Sequence, residues 1–497
     1  MVNRFTRPNP LPGPLPLPFI GNLLNFTDVR LFYENCQKKY GDVCEISLAG
    51  LNYVILSRPE YIEKILSPTS FIVKTPQLQG LEELGFYNRG VAFNEDYKSW
   101  SYNRRFFSRA LLGLKFMNLT ITSTNKLYEE MKMDFSAWFH AFMNDLVSIL
   151  TVGERTYSIA SYYNTQSTIK SKYLNTLIED GDRFVKRIVK LSKDLLFFVY
   201  IGPTLRHYFP IYRIRSYFML KNRDCVFETL DNMIKKRRKE IEEMPIGAEM
   251  KTDMLTSLII ANTIRGDANV EMLDDEMPIP MSDSMTGPMS DDMIRGDLLD
   301  AYSGGTDAIA NAFCFITYYL CKNPHVKQKM LLEIDSIFPK GSNKSYVSDE
   351  DLPKLKYCKA IIKETFRIMP VVVLTPRQLA EDCELAGYKL PAGTQMFLNF
   401  LGANFHPKVW TYPEVFNPDR FYNEEDIKVD AKYLPIFGGN LRLCPGRRLT
   451  ITALLLLLAL VYKNYDIELV NFNEPLKLFM GGILNCKELK VRISPRN

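Results

Sequence analysis

The chain of 497 residues is long enough for a large core, and with 46% hydrophobic and 24% charged residues it is not a disordered, collagenous or coiled-coil protein. Its 62 Lys and Arg against 57 Asp and Glu leave a net charge of +5, too small an excess to indicate a nucleic-acid partner. Nine cysteines are scattered with no Cys-x-x-Cys pair, which argues against a disulfide framework or a thiolate zinc site and for a reducing compartment. The four histidines, His140, His207, His325 and His406, are equally scattered. No His-Glu-x-x-His, Gly-x-Ser-x-Gly, Gly-x-x-x-x-Gly-Lys or Gly-x-Gly-x-x-Gly occurs, which weakens the common hydrolase, zinc-protease and nucleotide-binding readings.

Residues 1–20 begin with Arg4 and Arg7 and carry proline at every even position from Pro8 to Pro18. This stretch is expected to be a stiff, extended hinge between the body and an anchor that is missing or removed. Asp42 to Leu48 and Asn52 to Ser57 are β-rich runs around a turn at Ala49-Gly50, and Ser57-Arg58-Pro59-Glu60 reads as a helix start. From about 97 to 265 the pattern is mostly helical. Within it, Leu195 to Leu220 interleaves aromatic residues with Arg206, Arg213 and Arg215, which suits either a membrane interface or a partly buried helix-loop-helix. Residues 266–292 hold Met272, Met277, Met281, Met285 and Met289 among Pro278, Pro280 and Pro288, so no continuous helix is allowed; a flexible loop at about 266–290 or a Met-rich partner surface fits. A long helix is predicted over 291–323, ended by Pro324 and long enough to cross a whole domain. Helices continue to about 369, short strands and turns fill 375–430, and the apolar run Ile451 to Val461 precedes a strand-rich tail. That run is too short to span a bilayer and reads as a buried helix. The expectation is one body over 21–497, mostly α with a small β-rich subdomain (α+β).

Cys444 lies in Phe437-Gly438-Gly439-Asn440-Leu441-Arg442-Leu443-Cys444-Pro445-Gly446-Arg447, just before that apolar helix. Pro445 suits a first helical position, and N–H groups at a helix start stabilise a negative sulfur. Gly446 removes a side chain where something flat can approach, and Arg442 and Arg447 add positive charge. Taken alone, these features fit either a thiolate socket for a planar ligand or an inert buried cysteine.

The segment resembles the haem-binding loop of the cytochrome P-450 superfamily, Phe-x-x-Gly-x-Arg-x-Cys-x-Gly, of microsomal type. Phe437, Arg442, Cys444 and Gly446 match, while Asn440 replaces the first Gly, a position expected to need positive φ, for which Asn is the best substitute. Three further matches follow the family's order: Glu364-Thr365-Phe366-Arg367 with Arg420 of Pro418-Asp419-Arg420-Phe421 as third partner, Trp100 with Arg104, and Arg377. Leu11-Pro12-Gly13-Pro14 resembles the family's hinge after an anchor.

The resemblance implies haem b with Cys444 as iron ligand, whose thiolate favours O–O cleavage. It places Phe437 beside the sulfur, and Arg104, Arg377, Arg442 and the Trp100 N–H on the haem propionates. Glu364, Arg367 and Arg420 would be structural. On the long helix, Gly304-Gly305-Thr306-Asp307-Ala308 would form the oxygen-binding groove, with Gly305, Asp307 and Ala308 as its catalytic positions. Adjacent glycines inside a helix cost about 1 kcal/mol each, so close packing or a local bulge is expected there. The family's threonine is Ala308 here, and Thr306 points to another face. A water or substrate hydroxyl then replaces the missing group, coupling to O2 is poor, or the enzyme is an isomerase or dehydratase that needs no O2. By family position Val371 to Leu374, Leu478 to Gly481 and parts of 75–95 and 195–215 line the cavity, implying a lipophilic substrate. The implied activity is a monooxygenase on the cytoplasmic face of the endoplasmic reticulum, with NADPH and flavin supplied only through a separate reductase. Arg447 and Arg448 either face that reductase or are ordinary surface charge. A haem- or lipophile-binding protein without catalysis is the alternative of another class.

Overall fold

The computed structural model describes residues 9–17, 21–27, 29–48, 50–67, 73–74, 79–128, 135–166, 181–264, 287–339, 344–422 and 434–496. Most of the expected loop at about 266–290, with Met272, Met277, Met281 and Met285, lies outside the described residues, as do 1–8 and 18–20 of the proline-rich segment. Its described middle is tied down: Leu11 is buried and the Pro12 carbonyl accepts from the Glu45 N–H at 2.8 Å.

The two β-rich runs form a hairpin of β1 (Val43–Leu48) and β2 (Leu51–Leu56), paired from Val43↔Leu56 to Leu48↔Leu51. Gly50, at φ +86°, takes the left-handed turn position that favours glycine. Two strands from far along the chain complete the sheet, β3 (Leu374–Gln378) and β4 (Gln395–Asn399), in the order β1-β2-β4-β3 with β2 and β4 parallel. Three two-stranded pairs complete the β part: Cys383–Leu385 with Tyr388–Leu390, Tyr465–Leu469 with Val491–Pro495, and Lys477–Met480 with Leu484–Glu488.

The helical body is built around six helices that matter for the site: α1 (Tyr97–Leu112), α2 (Phe135–Val152), α3 (Pro210–Glu243), α4 (Asp291–Lys322), α5 (Lys356–Ile368) and α6 (Arg447–Asn464). Helix α4 starts on Ser290, whose side chain accepts from the Met293 N–H at 3.4 Å. Asp291 and Asp292 complement its N-terminal dipole, Lys322 its C-terminus, and Pro324 follows. At 1.5 Å per residue it is about 48 Å long. It is buried from Ile294 to Leu320 on most faces and packs on α2, where the Phe139 and Phe313 ring centroids lie 4.5 Å apart. Helix α6 is longer than the apolar run suggested, and every residue from Thr452 to Tyr462 is buried. All-round burial is what an all-round apolar helix requires. No helix among the described residues is long and apolar enough to cross a membrane.

The stretch Leu195 to Leu220 divides between its two readings. A helix over Gly181–Tyr200, a short one over Pro203–Tyr208 and the start of α3 make a helix-loop-helix. Phe197, Phe198 and Arg206 are buried in it, whereas Tyr208, Phe209, Ile211, Ile214, Tyr217 and Phe218 are exposed.

Candidate haem-thiolate site

The Cys444 loop is shaped by two left-handed residues, Gly438 at φ +79° and Asn440 at φ +58°. The Asn440 side-chain oxygen accepts from the Leu441 N–H at 2.8 Å, and its carbonyl accepts from the Leu443 N–H at 2.9 Å. The expected positive φ is therefore present, with the amide bracing its own turn. The Cys444 N–H donates to the Phe437 carbonyl at 2.9 Å. Helix α6 does not begin at Pro445 as its sequence position suggested. Gly446 is the cap and Arg447 the first helical residue, because Cys444 to Arg447 close a turn of their own (Arg447 N–H to Cys444 O, 3.4 Å). Burial pushes the Cys444 thiol up, while the Gly446 N–H and the charges of Arg104, Lys74 and Arg447 pull it down. A Cβ on Gly446 would stand 3.9 Å from the sulfur, so glycine keeps that side open.

Cys444 opens onto a cavity of about 410 Å³. Across from it runs one stripe of α4: Asp300, Ala301, Gly304, Gly305, Ala308 and Ile309. The two glycines serve different ends. A Cβ on Gly304 would meet nothing within 4 Å, because that position faces the open cavity. On Gly305 it would come to 3.0 Å from Val147 Cγ2, so glycine lets α2 approach. Val147, Leu150 and Thr151 of α2, with Phe116, continue the apolar wall. Asp307 is not in that wall. Its carboxylate faces away, with Oδ1 3.4 Å from His140 Nε2 on α2; burial raises the carboxyl, and His140 and Lys193 oppose the rise. Thr306 is likewise buried off the cavity. Val371 and Val372 line the cavity as expected, but Leu478 to Gly481 and 195–215 do not.

Cations gather at one end of the cavity. Arg104, Arg377, Arg442 and Lys74 all line it. Burial pushes Arg377 and Arg442 down to about 10, and burial together with Arg442 and Arg377 pushes Lys74 down to about 7. Arg442 lies 4.8 Å over the Trp100 ring and donates to the Glu95 carboxylate at 2.9 Å and the Asn94 carbonyl at 2.7 Å. The Trp100 indole N–H donates to the Val91 carbonyl at 3.2 Å, the fixed acceptor that an indole only 1% exposed needs. Arg377 donates to Thr375 Oγ1 at 2.9 Å and the Pro376 carbonyl at 2.7 Å. Lys74, Glu95 and Asp300 escaped the sequence reading because none stands in a motif; only the fold brings them to the arginines.

Outside the cavity, α5 carries a fully buried pair. Arg367 grips Glu364 through two bonds of 2.8 Å, and Arg420 Nε lies 3.4 Å from the same carboxylate while donating to the Thr411 and Tyr412 carbonyls. The sequence triad is thus one cluster, which pins the segment before the cysteine loop to α5.

The cytochrome P-450 family model matches residues 11–493 of this chain. The chain belongs to the cytochrome P-450 family. Melianol synthase of Ailanthus altissima is 26% identical over 475 residues, covering 93% of this P-450 and 84% of the relative. A 2-hydroxyisoflavanone synthase of Glycyrrhiza echinata is 26% identical, with 98% and 88% covered, and tabersonine 16-hydroxylase 1 of Catharanthus roseus is 24% identical, with 92% and 85% covered. This P-450 is accordingly an oxidoreductase of monooxygenase type, and its cofactor is haem b bound through a cysteine thiolate. The residues fit that group: a thiol facing open space, apolar walls, and cations at one end where two carboxylates need them.

Proposed function

We propose that this P-450 inserts one oxygen atom of O2 into an apolar small molecule held in the cavity between α4 and the Cys444 loop. The observation that carries this reading is the cavity in which Cys444 faces the stripe of Gly304, Gly305 and Ala308. Haem bound there supplies reductive O2 activation. Cys444 is its thiolate ligand, Phe437 packs beside the sulfur, and Gly446 leaves room for the ring. Arg104, Arg377 and Arg442 would take the propionates, with Arg442 braced by the Trp100 ring 4.8 Å away.

The remaining groups set substrate and proton. Phe107, Leu111, Phe116, Leu150, Val371 and Val372 exclude water and favour a lipophilic substrate. His140 Nε2 lies 3.4 Å from Asp307 Oδ1 on the side of α4 away from the cavity, and this buried pair would hold a proton there. Ala308 offers no hydroxyl, so the proton reaches the cavity through water or a substrate hydroxyl. Ala308 also supports a second reading, a haem-thiolate isomerase or dehydratase. Electrons come from NADPH through a separate flavoprotein reductase, which docks near Arg447 and Arg448. The protein works on the cytoplasmic face of the endoplasmic reticulum, with the exposed apolar face around Ile211 and Phe218 against the lipid.

The test is the spectrum of the reduced, carbon-monoxide-bound protein beside Cys444→Ala, followed by turnover of lipophilic candidates. A strongly red-shifted Soret band lost in the variant, with product formation requiring NADPH, reductase and O2, is the expected result. Product without reductase or O2 establishes the isomerase reading instead. Absence of the band overturns the placement of haem on Cys444.

A further inference from the structure

We infer that Lys74 is a fourth cationic ligand of the haem carboxylates and that Glu95 is the built-in counter-charge that positions Lys74 and Arg442 together. The inference rests on the placement of haem against Cys444 proposed above. Lys74 lines the same cavity as Cys444, Arg104, Arg377 and Arg442. Its ammonium donates to the Ala92 carbonyl at 3.2 Å, one of three available N–H bonds, so the head is held without being used up among the described residues.

The backbone around Lys74 is fixed to both neighbouring arginine segments. The Lys74 N–H donates to Glu95 Oε2 at 3.0 Å, and the same oxygen receives Arg442 at 2.9 Å. One residue back, the Val73 carbonyl accepts from the Gln378 N–H at 2.8 Å, next to Arg377. A single carboxylate oxygen, on a side chain only 5% exposed, therefore sets the spacing between Lys74 and Arg442.

The electrostatics point the same way. Arg442 and Arg377 weaken the charge of Lys74, and Arg377 and Arg104 that of Arg442, whereas Glu95 strengthens the charge of Lys74, Arg377 and Arg442. Buried like charges at such range are costly unless anions reach them. Glu95 meets part of that need, and a ligand bearing two carboxylates meets more. Asp300, also on the wall, adds its charge on the Lys74 side but is itself held by the Val91 and Ala92 N–H groups at 2.7 and 2.8 Å, and it does not strengthen the charge of Arg377 or Arg442.

The experiment uses haem-loaded wild type, Lys74→Met, Lys74→Gln, Lys74→Arg and Glu95→Gln, each first checked for the thiolate band. Two quantities are read: the rate of haem transfer to excess apomyoglobin and the haem midpoint potential. Loss of one charge-assisted bond is expected to speed haem loss roughly tenfold or more in Lys74→Met and Lys74→Gln, with Lys74→Arg close to wild type. Removing a positive charge lowers the potential in the two neutral variants, and removing a negative one raises it in Glu95→Gln. A merely structural role for both residues does not move the potential in opposite directions. Transfer rates and potentials of the neutral lysine variants matching wild type, or potential shifts of one sign throughout, overturn the inference while leaving the haem site standing. A wild type without the band overturns the haem placement itself.

Discussion

Asn440 concentrates a backbone requirement in one residue. At φ +58° an ordinary side chain costs about 1–2 kcal/mol, and a β-branched one is worse. Asn440→Gly should keep stability and haem retention near wild type, whereas Asn440→Val should lose about 2 kcal/mol in chemical denaturation and bind haem poorly. The Glu364–Arg367 pair is a different kind of constraint, fully buried on both sides. Glu364→Ala leaves Arg367 buried without its partner, and a loss of about 3–5 kcal/mol is expected in urea unfolding. Asp297 adds a pH signature: it is fully buried, and neither carboxyl oxygen has a hydrogen-bond partner among the described residues. Burial first, and Asp300 second, raise its carboxyl well above the ordinary value of 3.8. The folded chain thus keeps a proton that the unfolded chain releases above that value, so stability falls as pH rises from there towards the folded pKa. Asp297→Asn should flatten this fall, seen as a smaller difference between urea midpoints at acidic and neutral pH than in wild type. Asn440 and Glu364 were legible because motif spacing exposes them. Asp297 was not, since an aspartate in a helix reads as surface until the packing around it is known.

The central helix shows where periodicity suffices and where it stops. Its C-terminal end was legible from Pro324, and its glycine pair from the cost of two helical glycines, whereas the Ser290 cap emerged only with the fold. Which neighbour each glycine serves depends on α2, whose approach no local pattern encodes. Gly305→Ala should force the Val147 contact apart and lower both stability and ligand affinity, and Val147→Ala in the same chain should restore most of the loss. Gly304→Ala should fold as well as wild type or better, by up to about 1 kcal/mol from helix propensity. It nevertheless places a methyl in the cavity, so in this variant ligand-induced spectral changes should weaken with no loss of stability. Asp307 carries the same lesson in reverse: the motif locates it beside the groove, but only tertiary packing turns it towards His140.

At the scale of the whole molecule, the sheet joins β2 to β4 across some 340 residues of chain, and the helical body carries an exposed apolar surface between Tyr208 and Phe218. The mixed aromatic and basic stretch was legible as amphipathic, yet its division into an inner and an outer face required the fold. Phe197 and Phe198 are inside, and Tyr208, Ile211, Ile214 and Phe218 outside, with Arg213 and Arg215 beside them. Exposed aromatic and aliphatic groups flanked by arginine are suited to the boundary of an anionic bilayer, where burial stabilises at about 25 cal/mol per Å² and each basic residue adds about 1 kcal/mol. Ile211→Asp with Phe218→Asp should therefore reduce co-sedimentation with phosphatidylserine-containing vesicles severalfold while leaving thermal stability within about 0.5 kcal/mol, because both side chains are exposed already. With docking through this face as proposed, a lipophilic substrate that partitions into the same vesicles would be concentrated near the bound protein. The double variant should then show a higher apparent KM when substrate is presented in vesicles and an unchanged KM when it is presented in detergent-free solution. Equal KM values in both formats would separate lipid docking from substrate supply.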